Sequence, residues 1–186
     1  MIFVLCGPGG VGKGTVAGRL IECVENLSLS RSWTTRTRRE NESASAYVFV
    51  DEESFLSKVA DHGFIEYARF LDNFYGTPLP EERFFGCESH LLLEIDVQGA
   101  KQIRELIASA KIMVLTPPSD SELERRLRVR GDDQGHIAAR VALANSEIES
   151  ALALGGQRFI NDDLEAVVAE IAGFIETCIG DCHDHP

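Results

Sequence analysis

The sequence of 186 residues lacks long apolar runs, an excess of basic charge and a regular pattern of cysteines. The apolar run at its start, Ile2 to Cys6, is short and has no basic lead, so we expect neither a membrane span nor a signal peptide. Because 18 basic residues face 30 acidic ones, the net charge of −12 argues against a nucleic-acid polymer as partner. Five cysteines, an odd count without framework spacing, indicate reduced thiols in a cytoplasmic protein.

The clearest motif that is present follows this first apolar run. The stretch reads Gly-Pro-Gly-Gly-Val-Gly-Lys-Gly-Thr and leads into an amphipathic helix pattern. A strand that turns through glycines into a helix is typical of a phosphate-binding loop (P-loop), whose backbone N–H groups cradle phosphate oxygens. The predicted phosphate-binding residues are Gly7, Pro8, Gly9, Gly10, Val11, Gly12, Lys13, Gly14 and Thr15.

Within this loop, Lys13 is placed for the β- and γ-phosphates of a nucleotide. Gly14 stands where many P-loops carry a hydroxyl that ligates magnesium. We therefore expect a magnesium ion here to depend on nucleotide oxygens, water and a carboxylate from elsewhere in the chain.

Hydrophobic periodicity along the rest of the chain predicts strands that alternate with helices. Apolar runs at 90–95 and 111–115 are typical of strands buried on both faces of a parallel sheet, and helical patterns follow each of them. We therefore predict a right-handed α/β fold of the P-loop NTPase type in one domain. Residues 33–82 do not alternate in this way and are predicted to form an inserted, partly antiparallel lobe.

Several further motifs, in the right order, give the chain a family resemblance. Ser32-Trp33-Thr34-Thr35-Arg36-Thr37-Arg38-Arg39, then Tyr47-Val48-Phe49-Val50, Asn73 to Thr77, Leu92 to Ala100 and Asn161 to Leu164 resemble the signatures of guanylate kinases. The resemblance covers the chain from the first strand to about residue 179. It implies Mg²⁺-dependent transfer of the ATP γ-phosphoryl group to GMP or dGMP, with a core of residues 1–32, 83–120 and 140–179, a GMP-binding insert at 33–82 and a small helical lid at 121–139.

The resemblance also implies roles for individual residues. Guanine would be read by Ser32, Glu66 and Thr77, and the GMP phosphate would be held by Arg36, Arg39, Tyr47 and Tyr75. Asp96 would lie beside GMP and magnesium, which it would bind directly or through water. The catalytic residues would be Lys13, Asp96 and the lid arginines Arg126, Arg130 and Arg140, of which Arg126 and Arg130 would also bind ATP and, one turn apart, would point at the same anion.

Two features depart from the family pattern. Gly9 stands where the family usually has serine, and the segment between Glu42 and Tyr47 lacks the usual glycine. Two alternatives stay open: a related P-loop kinase with another acceptor, and a catalytically inactive guanylate-kinase-like module that binds proteins. The oligomeric state is equally open between monomer and homodimer.

The last residues carry Cys178, Cys182 and His183, whose spacing is unlike that of structural zinc sites. Because Gly180 interrupts the final helical pattern, we expect the tail at 180–186 to fray rather than to bind a metal.

Overall fold

The computed structural model describes residues 1–38, 42–44, 46–70, 72–86 and 88–184. Its main sheet has five parallel strands in the order β2-β7-β1-β8-β9. These strands are β1 (Ile2–Cys6), β2 (Leu27–Leu29), β7 (His90–Glu94), β8 (Lys111–Thr116) and β9 (Gln157–Ile160). The predicted parallel α/β sheet is confirmed.

Helices cover both faces of this sheet because its central strands are apolar on both sides. All five residues of β1 are buried. One face packs against α1 (Lys13–Cys23) and α6 (Leu164–Asp184), and the other packs against α3 (Val97–Leu106) and α5 (Gln134–Ala153). Helix α4 (Asp120–Val129) packs separately on α5 through Leu123, Leu127, Ile137 and Ala144.

A second sheet comes from the segment that does not alternate. It has the order β4-β3-β6-β5 and consists of β3 (Trp33–Thr34), β4 (Val48–Phe49), β5 (Phe64–Phe70) and β6 (Asn73–Pro78), with α2 (Glu52–Ala60) between β4 and β5. Pairs β3–β6 and β5–β6 are antiparallel, whereas β3–β4 is parallel. The prediction of a partly antiparallel lobe is therefore confirmed.

Local sequence signals set several helix boundaries. Asp51 accepts a hydrogen bond from the N–H of Ser54 and caps α2, and Ser119 accepts one from the N–H of Glu122 and caps α4. Between Pro80 and β7, the described residues form a short 3-10 helix, Glu82–Phe85.

Two expectations for the cysteines and the last helix are wrong. Cys182 is disulfide-bonded, whereas Cys6, Cys23 and Cys178 are free. Helix α6 continues through Gly180 to Asp184, because one glycine costs a helix only about 1 kcal/mol and Cys178 and Ile179 still pack on the core. Residues 185 and 186 of the predicted frayed tail lie outside the described residues. None of the helices in the described part of the chain is long and apolar enough to span a membrane.

Candidate active site

The glycine-rich loop lies between β1 and α1, at the carboxyl end of the parallel sheet, where open α/β folds bind ligands. Gly10 and Gly12 have φ angles of 93° and 99°, a left-handed backbone that favours glycine. The Lys13 ammonium donates to the carbonyl oxygens of Gly7 and Pro8 at 2.7 and 3.3 Å. The lysine therefore lies across the loop that was predicted to cradle phosphate.

Side chains from later elements pack directly on this loop. A Cβ on Gly10 would lie 2.6 Å from Cδ2 of Leu127, and one on Gly12 would lie 2.6 Å from Nδ2 of Asn161. Asn161, which follows β9, also donates from Nδ2 to the carbonyl oxygen of Val11 at 2.8 Å. The conformation of the loop is thus fixed by α4 and by the end of β9 as well as by its own glycines.

The predicted lid arginines Arg126 and Arg130 have different partners. Arg126 donates to the carbonyl oxygens of Val11 and Asn161 at 3.3 and 2.8 Å, and to Oε1 of Glu122 at 2.7 Å. Arg130 donates from Nε to Asp132 at 2.9 Å and pairs with it again through Nη2. Arg126 is therefore anchored beside the phosphate loop, whereas Arg130 is paired within the loop that follows α4.

The third lid arginine, Arg140, lies on α5 and reaches the phosphate loop. A Cβ placed on Gly9 would overlap Nη1 of Arg140 and lie 3.7 Å from its Cζ. Arg140 also acts electrostatically on Glu147, which lies two turns further along the same helix. Burial raises the pKa of Glu147, and the positive charges of Lys13 and Arg140 oppose that rise.

Across the site, Arg36, Tyr47 and Tyr75 form a cluster at the edge of the second sheet. The Arg36 guanidinium is paired with both carboxylate oxygens of Glu42, at 2.7 and 3.0 Å, and its Cζ lies 5.6 Å from the centroid of the Tyr47 ring. The rings of Tyr47 and Tyr75 meet edge to face, with centroids 6.2 Å apart. Although burial opposes it, hydrogen bonding to Glu42 keeps the pKa of Arg36 raised. Arg39, predicted for the same subsite, lies outside the described residues.

Arg31, which the sequence did not single out, holds the segment before Tyr47. Its Nη2 donates to the carbonyl oxygens of Ala44 and Tyr47, at 2.7 and 2.9 Å. These contacts help to fix the backbone that carries Tyr47.

A buried carboxylate marks the other end of this lobe. Glu66 on β5 is 5% exposed and lies in register with Thr77 on β6, whose hydroxyl donates to Glu66 Oε1 at 2.5 Å. A Cβ on Gly99 would be 2.7 Å from Glu66 Oε2, so the start of α3 closes over the carboxylate. Burial raises the pKa of Glu66 to about 7; the charge of Asp96 adds to the shift, and the bond from Thr77 opposes it.

Ser32 and Asp96 complete the set of residues predicted to contact GMP. Ser32 is buried next to β3, and its backbone carbonyl accepts from the N–H of Val48. Asp96 follows β7 and caps α3 by accepting the N–H of Gly99 at 2.8 Å through Oδ1. Its charge acts on Glu66, Glu147 and the Cys6 thiol, so it lies between the two sides of the site.

Glu94, the last residue of β7, is a second carboxylate that the sequence analysis missed. Its Oε2 and Oε1 atoms lie 3.5 and 3.6 Å from where a Cβ on Gly14 would be. Burial raises the pKa of Glu94, and the charge of Lys13 opposes this shift. Because Glu94 also acts on Tyr47, it connects the phosphate loop with the Arg36 cluster. The sequence feature that could have revealed this residue is a carboxylate at the end of an apolar strand.

The residues near the loop fit Mg²⁺, which needs few protein ligands, better than they fit a metal ion that is bound entirely by protein side chains. In the described part of the chain, no group of three or more His, Cys, Asp or Glu side chains is arranged to hold a metal. Magnesium is usually bound by one or two carboxylates together with water and substrate phosphates. Asp96 and Glu94 are two carboxylates at this place, and the Glu94 oxygens lie in ordinary contact distance of the Cβ position of Gly14.

Comparisons with known proteins agree with one another. Residues 1–178 match the family model of guanylate kinase. The guanylate kinase of Oleidesulfovibrio alaskensis is 41% identical over 175 residues, covering 92% of this chain and 84% of the relative, and that of Thermus thermophilus is 41% identical over 177 residues, covering 94% and 80%. The crystal structure of guanylate kinase from Anaplasma phagocytophilum superposes with a TM-score of 0.77 at 31% identity, over 95% of this chain and 85% of that one.

Proposed function

The chain belongs to the guanylate kinase family, and from this premise we propose that it transfers the γ-phosphoryl group of ATP to GMP or dGMP through the residues described above. An oxygen of the GMP phosphate attacks the γ-phosphorus of ATP. A new P–O bond forms there while the bond to the β-phosphate oxygen breaks, giving ADP and GDP. Since the attacking phosphate is already an anion, the reaction needs no general base.

One observation carries this proposal: Glu94 lies beside the phosphate loop and also acts electrostatically on Tyr47, next to Arg36. The phosphate loop with Lys13 and the cluster of Arg36 with its two tyrosines are therefore near the same carboxylate. Phosphoryl transfer between two anions requires two such facing sites, because the enzyme acts mainly by positioning and by neutralising charge. The loop residues 7–15 would hold the donor phosphates, and Arg36, Arg39, Tyr47 and Tyr75 the phosphate of GMP.

The buried end of the lobe gives the proposed base preference. Guanine presents two adjacent donors, N1–H and the N2 amine, and the ionised carboxylate of Glu66 accepts both. Adenine has an acceptor at N1 and no N2 amine, so it would leave that carboxylate unpaired. A bidentate contact is worth about 1–3 kcal/mol, and an unpaired buried polar group widens the discrimination to roughly 10⁴-fold. Ser32 and Thr77 would complete the guanine pocket.

Charge on the transferred group would be neutralised by Lys13 and by the arginines Arg126, Arg130 and Arg140. Groups aimed at charge that develops in the transition state raise the rate more than they raise substrate affinity. Mg²⁺ would be held by the nucleotide oxygens together with the carboxylates of Asp96 and Glu94. When bound, the ion supplies further positive charge to the donor phosphates.

The division of the chain follows from these roles. We assign the core to residues 1–32, 83–120 and 140–179, GMP binding to 33–82 and the lid to 121–139. The enzyme would act as a monomer or homodimer in the cytoplasm, where ATP is produced and consumed.

The test is a coupled assay of ADP release with GMP, dGMP, AMP, CMP and UMP as acceptors. We expect GMP and dGMP to be good substrates and AMP to be a very poor one. Glu66→Gln is the matched variant, because its amide turns one acceptor into a donor while keeping the size of the side chain. Activity of the wild type with AMP equal to that with GMP would contradict the assignment, as would full GMP activity of the variant.

A further inference from the structure

Gly99 brings the first turn of α3 against the carboxylate of Glu66. The glycine is buried, and a Cβ placed on it would lie 2.7 Å from Oε2 of Glu66 and 3.1 Å from its Cδ. Glu66 is itself 5% exposed, and its other oxygen, Oε1, accepts the hydroxyl of Thr77 on β6. The carboxylate is therefore bonded to β6 through one oxygen and packed against α3 at the other, in space that a methyl group at residue 99 would take.

The backbone does not require glycine at this position. Gly99 has no positive φ angle, and it is the third residue of a helix, where alanine is the better helix former. Its N–H donates to Oδ1 of Asp96 at 2.8 Å, and alanine would keep this capping bond. Neither the backbone conformation nor the helix cap accounts for the glycine, whereas the neighbouring carboxylate does.

The surroundings determine which group would yield to a side chain at residue 99. Helix α3 is bonded to β5 close to Glu66, since Nε2 of Gln102 donates to the carbonyl oxygen of Tyr67 at 3.1 Å. The next neighbour of the Cβ position, Cβ of Ile95, is further away at 3.3 Å. Because the Glu66 carboxylate is both the nearest group and the end of a flexible side chain, a substitution at Gly99 would move the carboxylate rather than the helix.

We propose that Gly99 is a positioning residue for base recognition, whose missing side chain lets the Glu66 carboxylate lie against α3 at the place where it accepts guanine. The inference rests on the proposed function, in which Glu66 accepts the N1–H and N2 amine of GMP. A bidentate contact tolerates little displacement, because both oxygens must stay at hydrogen-bond distance and angle from their donors. A methyl group at residue 99 would weaken this contact and leave the donor site on the phosphate loop unaffected.

Steady-state kinetics of Gly99→Ala test the effect on base recognition, with Gly173→Ala as the matched control. Gly173 lies in helix α6, and beyond its own helix nothing in the described part of the chain lies within 4 Å of its Cβ position. Gly99→Ala should raise KM for GMP about tenfold, as expected for a weakened bidentate contact, and should change KM for ATP less than about twofold. The preference for GMP over AMP should fall by the same factor. An unchanged KM for GMP, or an equal rise in both KM values, would overturn the proposal.

Thermal unfolding without nucleotide tests the contact itself, in a cycle of Gly99→Ala, Glu66→Ala and the double variant. Alanine at residue 99 should lower the Tm of the wild type, although it favours the helix. In the Glu66→Ala background, which has neither Oε2 nor Cδ, the same substitution should no longer lower the Tm. A similar loss in both backgrounds would assign the clash to Ile95 and overturn the proposal, as would the absence of any loss in the wild type.

The cycle stays decisive when one variant is unstable. If Gly99→Ala does not fold, the double variant should still fold, because the carboxylate that causes the clash is gone; failure of both to fold would overturn the proposal. Failure of the wild type to phosphorylate GMP would overturn the proposed function instead, and the unfolding cycle would still decide whether Gly99 makes room for Glu66.

Discussion

Lowering the pH from 8 to 6 should weaken guanine binding, because the carboxylate that accepts guanine titrates in this range. Glu66 is buried beside Thr77, and its pKa is raised to about 7, chiefly by burial and then by the charge of Asp96. Guanine needs both carboxylate oxygens as acceptors, whereas the protonated carboxyl group offers a donor in place of one of them. Guanine therefore binds the ionised form of Glu66, and when Glu66 is protonated, binding releases its proton.

The size of the effect follows from the ionised fraction. A group with a pKa of about 7 is about 90% ionised at pH 8 and about 10% ionised at pH 6, so the apparent affinity should fall roughly tenfold. GMP is unsuitable as the probe, since its own phosphate has a second pKa near 6. The 5′-methyl ester of GMP, which has no second phosphate ionisation, removes this complication. Calorimetry at pH 6, 7 and 8 in two buffers of different ionisation enthalpy measures both affinity and proton release.

Thr77→Val gives this experiment a control with a definite sign. The Thr77 hydroxyl bond favours the ionised carboxylate, so its loss should raise the pKa of Glu66 and move the midpoint to higher pH. An affinity that stays constant between pH 8 and 6, or binding accompanied by proton uptake, would refute the reasoning.

The raised pKa of Glu66 also predicts how the stability of the protein depends on pH. The folded protein holds a proton on Glu66 more tightly than the unfolded chain does. The stability that this proton contributes is therefore fully present below pH 4.5, the pKa of the glutamate in the unfolded chain, and it is lost as the pH rises to about 7. The loss amounts to about 3 kcal/mol. Thermal unfolding of wild type and Glu66→Gln should therefore show the variant gaining relative stability between pH 5 and pH 8. A difference that does not change with pH would contradict the raised pKa.

Three further predictions concern other parts of the site. Lys13→Met should abolish turnover and leave GMP affinity nearly unchanged, because Lys13 lies on the donor loop; calorimetry showing that GMP binding is lost as well would argue against separate subsites. Arg130→Ala should lower kcat by about 10²-fold with smaller changes in KM, and steady-state kinetics showing a change in KM alone would indicate uniform ATP binding instead. Arg31→Ala should raise KM for GMP about fivefold, equivalent to ~1 kcal/mol for the lost bonds to Ala44 and Tyr47, without changing KM for ATP; Arg31→Lys should recover part of the loss, and an equal rise in both KM values would contradict the role.

The sequence predicted those parts of the fold that depend on local patterns. The apolar residues of β1, β7 and β8 are buried on both faces, and Asp51 and Ser119, residue types that favour helix N-termini, cap their helices. The break expected at Gly180 did not occur, because packing of the neighbouring residues outweighs the weak helix propensity of one glycine.

The site was less accessible to sequence reasoning, because its charges are brought together by tertiary contacts. Glu94 ends an apolar strand, and Glu147 is one polar position on α5. Only the fold places both near Lys13. Arg31 was passed over because its partners are backbone carbonyls of a separate segment, which no side-chain pattern reveals.

The glycines of the phosphate loop show how a short motif depends on distant residues. Gly10 and Gly12 are required twice over, since each has a left-handed backbone and each leaves room for a side chain, Leu127 or Asn161. At Gly14 a Cβ would be at ordinary contact distance from Glu94, so a serine there would be accepted and could donate to that carboxylate. Gly9 differs from Gly10 and Gly12, because its φ angle is not positive and, among the described residues, the atoms within 4 Å of its Cβ position belong to the Arg140 guanidinium. A substitution at Gly9 should therefore affect the position of Arg140, whereas one at Gly10 or Gly12 should affect the loop itself. The same residue type in one motif thus serves backbone conformation and packing at different positions.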